Sequence, residues 1–512
     1  MPGRQIDGSI SLLEHAYHQG RLFAGAVCLI VNGEIVAKNV VGGNDGSLFE
    51  IGSITKLLTA IAAIGADIDG SLRLDARIED IVPGLRFDDR LGAEVTVRHL
   101  LTHTSGLPAA GRDWGPSDPD ALHRVAVADV AHHRFHAAPG DITCYSSTAL
   151  SLAGLALQVA RGVPFKDLLA DEVLRQGGMR MAGFPNDVDP ADVSWPHVSV
   201  PGGWQAVSRQ ADNPAGYPSG FLLASLEDLA NLALTVLEGG LGAGVLNALV
   251  STTASRWVDH APSPWSGVSA NYGLGSLTGY WNGRTVIRHG GIGLTSNCSL
   301  DLFPESRSAV VLLTNGCHEP TFVELFKSCY RVVGGEENEP SDQPGPSRVP
   351  DRRPRSGTFV NMDDGRLATL RSDVKHVSID LGDGRSTLQP AGEGRWLTSG
   401  SNGVIPIGIP TDTEGDHVYI WGEPFHRFGP PRERHPVISD VQGVYRDSFW
   451  DDPATRFEIS NSAETLIVSS EGHDSAGRWI AHRHLATDHG VLEFKTGATG
   501  FRLGNATRYT RI

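Results

Sequence analysis

Phe49-Glu50-Ile51-Gly52-Ser53-Ile54-Thr55-Lys56-Leu57-Leu58 decides how the rest of the chain is read. A Gly-Ser step opens an apolar-periodic run, and a lysine follows the serine by three residues. If the run is a helix, Ser53 lies in its first turn and Lys56 lies on the same face, so the amine can reach the hydroxyl. A helix N-terminus also offers unpaired N–H groups and partial positive charge. A serine placed there beside a lysine has a proton acceptor and a donor for a developing oxyanion, which is what acyl transfer requires. The same stretch also reads as an N-cap serine with a solvated lysine, and S-x-x-K alone is a loose pattern.

Working outward, Ser9 to Gln19 carries a helical stripe that stops at Gly20. Residues 26–31 and 34–37 read as strands around Asn32-Gly33, a type I′ hairpin signal. Lys56 to Ile64 is apolar enough for a buried helix. Thr96 to Pro108 reads as a short helix entering a Gly/Pro-closed loop, and residues 109–120 as a surface loop at the edge of a cleft. Pro139-Gly140 turns the chain into Tyr145-Ser146-Ser147 and a helix from Thr148 to about Arg161. Ser225 caps a helix that runs through Leu237. Residues 272–275, 285–291 and 309–315 read as strands, and Phe322 to Val333 as a closing helix. This order suits an α+β domain with one antiparallel sheet built from both ends of the segment.

From 334 to 356 five prolines and few apolar residues mark a linker. Beyond it the segments are short, β-branched and cut by Gly, Asp or Asn. Ser356-Gly357-Thr358-Phe359 before Ala368-Thr369-Leu370-Arg371, and Gln442-Gly443-Val444-Tyr445 before Thr455-Arg456-Phe457-Glu458, form a faint repeat. They predict two small antiparallel β-barrel domains, 357–435 and 436–512, after a first domain spanning 1–333; one larger barrel is the alternative.

Of the 512 residues, 40% are apolar and 20% charged, an ordinary globular balance. The formal charge of −16 argues against non-specific binding to nucleic acid or anionic membrane. Five scattered cysteines without C-x-x-C spacing read as reduced thiols. With no basic-then-apolar start and no apolar run near 18 residues, no signal peptide or membrane span is expected, and the expected location is the cytoplasm. His132 and His136 stand at i, i+4, but no third ligand is evident, so they read as a solvated helix end, and neither metal nor cofactor is expected. No P-loop, dinucleotide fingerprint or G-x-S-x-G elbow is present.

Three further pieces bear on Ser53. Tyr145 offers a phenol whose anion a nearby lysine favours. His289-Gly290-Gly291 ends a strand whose glycines allow close backbone approach. Singly, each is ordinary: a half-buried tyrosine, an edge histidine, a turn. In this order, Ser53-Ile54-Thr55-Lys56, Tyr145-Ser146-Ser147 and His289-Gly290-Gly291 resemble the S-x-x-K, Y-S-N and K-T-G motifs of the penicillin-recognising serine hydrolases, the class C β-lactamase-like group. Gly70 to Asp75, Leu100 to Leu107 and Gly177-Gly178-Met179 support the likeness, which spans roughly residues 10–333.

The resemblance implies a β-lactamase-like catalytic domain, an antiparallel sheet flanked by helices. It implies Ser53 as the acylated nucleophile, Lys56 and Tyr145 as a coupled base, and the N–H groups of Ser53 and Ile292 as the oxyanion hole. His289 replaces the lysine of K-T-G, as in D-aminopeptidases, some esterases and thioesterases. Two barrels after the catalytic domain also resemble the D-aminopeptidase layout. Ser147 departs from the pattern: it is shorter than asparagine and has one donor instead of two. In the family the asparagine contacts the substrate amide and the catalytic lysine. Ser147, Gly290, Gly291 and Ile292 would thus line the substrate site. The expected substrate is a small molecule or short peptide, with D-amino acid amides or short D-peptides as the leading class. A carboxylesterase, an acyltransferase or cyclising thioesterase, and a catalytically silent binding protein are the alternatives; a homo-oligomer stays open.

Overall fold

The computed structural model describes residues 2–108, 120–141, 143–208, 212–251 and 269–335 and, beyond them, the strands between 356 and 511 with a few adjoining residues. All but the last residue of the expected loop at 109–120 and most of the expected linker, 336–355, lie outside the described residues.

The first 335 residues are built on one antiparallel sheet. Its strands are β1 (Ala24–Val31), β2 (Glu34–Val41), β3 (Ser269–Tyr272), β4 (Leu277–Trp281), β5 (Arg284–Ile292), β6 (Ser296–Phe303) and β7 (Ser308–Asn315), in the order β2-β1-β7-β6-β5-β4-β3. Asn32 and Gly33 have φ of 54° and 82°, the left-handed pair that a type I′ turn needs between β1 and β2. The N-terminal hairpin is joined to the rest where β1 pairs β7, from Ala24 opposite Asn315 to Ile30 opposite Ala309.

Every residue of β7 is buried, and its central run from Ala309 to Leu313 is apolar throughout. Successive side chains point to opposite faces. Ala309, Val311 and Leu313 join one core with Ala24, Ala26, Cys28 and Ile30 of β1. Val310 and Leu312 join another with Val27 and Leu29. The first core is closed by helices α2 (Ile54–Asp69), α4 (Ser147–Arg161) and α5 (Leu226–Leu237), with the short α3 (Val97–Leu101) beside α4. The second is closed by α1 (Pro2–His18) and α6 (Glu319–Gly334). Ser225 caps α5 in a reciprocal box with Asp228, and Gly162 ends α4 at φ 68°.

Strands β4 and β6 are additions to the sequence-based expectation. Ser296, Asn297, Ser299 and Asp301 interrupt the apolar signal in β6. Their polarity is absorbed inside the protein. Asp301 pairs with Arg288 across the sheet at 3.2 Å, with both side chains at 2% exposure or less. Tyr330 of α6 donates to Asp301 at 2.8 Å, and Ser299 donates to its other oxygen. Burial pushes the Asp301 carboxyl up, while Arg288 and the two hydroxyls oppose that shift. Removing the carboxylate strands a buried guanidinium, so Asp301→Ala is expected to cost about 3–5 kcal/mol, read as a lower urea midpoint. The reading of His132 and His136 as a solvated helix end is corrected: Val130–His132 is a single 3-10 turn, the chain is extended at His133, and His136 is buried at 6% exposure. His132 instead meets Asp88 at 2.9 Å and His133 meets Asp129 at 3.3 Å.

The C-terminal part forms two further antiparallel sheets. In the first, Gly357–Val360 pairs both Leu367–Ser372 and Glu423–Phe428. In the second, Gly443–Asp447 pairs both Phe457–Ser462 and Thr507–Arg511. The faint sequence repeat therefore corresponds to the same opening hairpin in each, with the last strand returning to the first. Among the described residues no single helix is long and apolar enough to cross a membrane, and all five cysteines are free thiols.

Candidate active site

Gly52 and Gly291 bring the site together. Gly52 has φ 49°, and a side chain on it would lie 2.6 Å from the Ile292 carbonyl oxygen and 2.8 Å from the Ile292 nitrogen. A side chain on Gly291 would run into the Ile51 carbonyl, with no room for even a methyl group. Only glycine at both positions lets the end of β5 press against the start of α2. The Ile292 backbone is thereby brought against Gly52, the residue before Ser53.

Ser53 is the N-cap residue of α2, with φ −68° and ψ −5°, and its side chain makes no capping hydrogen bond. The hydroxyl is not spent on the helix. Lys56, one turn on, places Nζ 2.9 Å from Ser53 Oγ and 2.7 Å from the Ser219 carbonyl oxygen. Lys56 is 1% exposed. Burial pulls its amine down to about 7, because neither partner carries the negative charge that would hold the proton. Lys56 Nζ also lies 5.0 Å from the centre of the Tyr145 ring. Tyr145 hydrogen-bonds with Ser53; burial pushes the phenol well up and that bond pulls it partly back. Of the two groups beside Ser53, the amine gives up a proton near neutrality and the phenol keeps its own.

Tyr145 is held by a residue the sequence reading named only as part of a supporting stretch. His103, just after α3, has φ 56° and is fully buried. Its carbonyl accepts from Cys144 N–H at 2.8 Å, and its Nδ1 accepts from Ser146 N–H at 3.1 Å. The two bonds bracket Tyr145 in the chain, and the His103 ring lies 4.4 Å from the Tyr145 ring. Tyr272 on β3 packs 4.4 Å from His103 and 6.0 Å from Tyr145. Tyr272 had been read only as a strand residue, and Ser219 had not been read at all. The Pro218-Ser219-Gly220 turn that supplies the carbonyl carries no chemical signature.

His289 is 4% exposed, with its ring 6.4 Å from that of Tyr145. Nε2 lies 2.7 Å from Tyr272 Oη, and Nδ1 lies 2.6 Å from the Gly290 carbonyl oxygen. Ile292, by contrast, is 77% exposed. Ser147 opens α4, where Ser146 is the capping residue. Among the described residues the Ser147 hydroxyl has no hydrogen-bond partner. The folded chain thus gathers Ser53, Lys56 and Tyr145 in direct contact and His289 behind Tyr145, with Gly290, Gly291 and Ile292 along the strand that meets the start of α2.

This arrangement can deprotonate a hydroxyl, stabilise an oxyanion and return a proton to a leaving atom. The comparisons agree with that chemistry. The β-lactamase family profile matches residues 10–326. "Penicillin-binding protein 4" of Amycolatopsis lactamdurans is 27% identical over 380 residues, covering 68% of this chain and 97% of that protein. "Esterase EstB" of Burkholderia gladioli is 30% identical over 258 residues, covering 41% of this chain and 64% of that protein. The crystal structure of SurE with D-Leu superposes with a TM-score of 0.62 at 19% identity, covering 83% of this chain and all of that one. A profile that spans most of the chain, together with a fold and a site of this kind, shows that the chain belongs to the β-lactamase family of serine hydrolases.

Proposed function

We propose that the protein hydrolyses small amides or esters through an acyl-Ser53 intermediate, with D-amino acid amides or short D-peptides as its leading substrate class. The observation that carries this is the Lys56 amine, buried, pulled down to about 7 and 2.9 Å from Ser53 Oγ. Neutral Lys56 takes the Ser53 proton as Oγ attacks the acyl carbon. The N–H groups of Ser53 and Ile292 hold the oxyanion. Tyr145 gives its proton to the leaving atom and regains one from Lys56. Water then reverses the sequence and frees the acid. The test is a chromogenic ester in excess. A burst of leaving group equal to the enzyme, with the acyl mass on the peptide holding Ser53, is expected. No burst and no mass on that peptide would sink the reading.

The D-amino acid preference rests on layout. Residues 1–333 are read as the catalytic domain, 334–356 as linker, and 357–435 and 436–512 as barrels, the arrangement D-aminopeptidases have. D-Leu accompanies the SurE structure, whose fold is shared. The free thiols suit the cytoplasmic location already expected.

Ser147 favours a second reading, a carboxylesterase. Its hydroxyl has neither the reach nor the two donors of an asparagine amide. Ser147→Asn is expected to raise kcat/KM on aminoacyl anilides about tenfold relative to the matching esters, the worth of one good hydrogen bond in a transition state. Parallel assays of the two substrate types check it; an unchanged ratio would remove Ser147 from substrate recognition. Product analysis with an added amine separates hydrolysis from acyl transfer.

A further inference from the structure

The turn between β5 and β6 is held by polar tethers more than by packing. Ile292 and Leu294 are exposed, and Gly293 between them has no side chain. On the far side, Thr295 Oγ1 donates to Asn315 Oδ1 at 2.7 Å, and the Gly316 N–H donates to the Thr295 carbonyl oxygen at 2.8 Å. Within the turn, the Gly293 N–H donates to the Ser296 carbonyl oxygen at 3.0 Å. On the near side stands Glu50, three residues before Ser53. Its Oε2 accepts from the Leu294 N–H at 3.3 Å, and a side chain on Gly293 would run into that same oxygen. Residues 50–52 thus run along the turn, with Ile51 against Gly291, Gly52 against Ile292, and Glu50 against Gly293 and Leu294.

Glu50 is itself fixed from two sides. Its backbone pairs with Leu223 in a short two-stranded ladder, and the Cys298 thiol of β6 donates to its carbonyl oxygen at 3.4 Å. The carboxyl is half-buried; burial pushes it up, and the Leu294 N–H opposes that shift. Placing an acid here costs desolvation that a small neutral residue would not. What the acid supplies is an acceptor on an arm long enough to reach the backbone of the turn. Resting on the acyl-serine reading, in which the Ile292 N–H is one of two oxyanion donors, we propose that Glu50 is a positioning residue that fastens the turn at Leu294 and so holds the Ile292 N–H on the oxyanion. Without it, Gly293 is a pivot between Ile292 and the Thr295 tether, and the donor drifts from the place where charge develops.

The test compares 4-nitrophenyl acetate with the thionoester that has sulfur in place of its carbonyl oxygen, each corrected for its rate with hydroxide. Sulfur is a weak acceptor, so a misplaced oxyanion donor penalises the oxygen ester far more than the thionoester. Glu50→Ala is expected to lower kcat/KM on the oxygen ester by about 10²-fold, the cost of misplacing a group that acts on the reacting atoms. On the thionoester the loss is expected to stay under about tenfold, so the preference for oxygen narrows by about tenfold or more. Glu50→Gln keeps the arm and an acceptor oxygen, and is expected to restore both rates to within about threefold of the wild type. Glu50→Asp, whose shorter arm falls short of Leu294, is expected to narrow the preference as alanine does and is read in its place if the alanine variant does not fold. A folded variant with the wild-type preference, its two rates unchanged or equally lowered, overturns the proposal. So does a Glu50→Gln protein whose preference is as narrow as that of Glu50→Ala. Ser53→Ala run alongside keeps the two readings apart: activity surviving there fails the acyl-serine mechanism, whereas an inactive control with the wild-type preference kept in Glu50→Ala fails this inference alone.

Discussion

Ser53→Ala is expected to lower kcat/KM for a chromogenic ester by roughly 10⁴- to 10⁶-fold, the loss that follows removal of a nucleophile from a coupled set. The oxygen removed is the one that Lys56 Nζ meets at 2.9 Å and that Tyr145 hydrogen-bonds. Without that oxygen nothing held by the pair attacks the acyl carbon, so the variant keeps only the oxyanion donors and binding. Folding is expected to be little affected. The Ser53 hydroxyl makes no cap bond to α2, and a substitution away from packing and capping stays within about 0.5 kcal/mol. Steady-state assays with circular dichroism melting check both halves. An inactive protein that melts like the wild type identifies a chemical loss; retained turnover places the nucleophile elsewhere.

The parts of this site legible in the sequence are those in which a residue type and a spacing carry the chemistry together. Ser53 and Lys56 share a helix face, and their contact follows from the three-residue step. Gly290-Gly291 announced a close backbone approach, and the Gly291 contact with Ile51 is that approach. The hairpin at Asn32-Gly33 and the buried run of β7 were equally plain, one from turn chemistry and the other from burial on both faces.

The rest depended on tertiary partners. Strand β6 alternates polar and apolar residues, yet its polar ones are inside, because Arg288 and Tyr330 come from distant positions to meet Asp301. No local pattern distinguishes that from a solvated segment. The expectation that Lys56 and Tyr145 act as one base is sharpened by their surroundings. Burial disfavours charge on both, which lowers the amine and raises the phenol. The sequence placed a cation near a phenol but could not say that both are dry. His103 and Tyr272 escaped as site residues for the same reason: each acts on another side chain through contacts between separate elements.

Lys56→Met should separate stability from activity by moving them in opposite directions. The amine sits at about 7 inside the protein against 10.5 in its ordinary state. Between those values the unfolded chain holds the proton and the folded one does not, so wild-type stability rises with pH across that window and the penalty is complete below it. Where the side chain is protonated, that penalty is roughly 5 kcal/mol. Methionine fills a similar space without charge. The Ser219 carbonyl loses its donor, which costs about 1–3 kcal/mol, so the variant should be more stable at neutral and acid pH and the gain should fade toward pH 10. Turnover should fall by about 10³-fold or more, since among the described residues the other group on Ser53, the Tyr145 phenol, keeps its own proton. In the wild type, kcat/KM should rise through pH 7 as Lys56 becomes neutral, and that limb should be missing from whatever activity the variant retains. Melting and pH–rate profiles on the same two proteins check the pair of claims. A variant that is less stable at pH 6 means the buried amine is paired more favourably than its two neutral partners allow. A variant that keeps the rising limb near pH 7 assigns that titration, and the base, to another group.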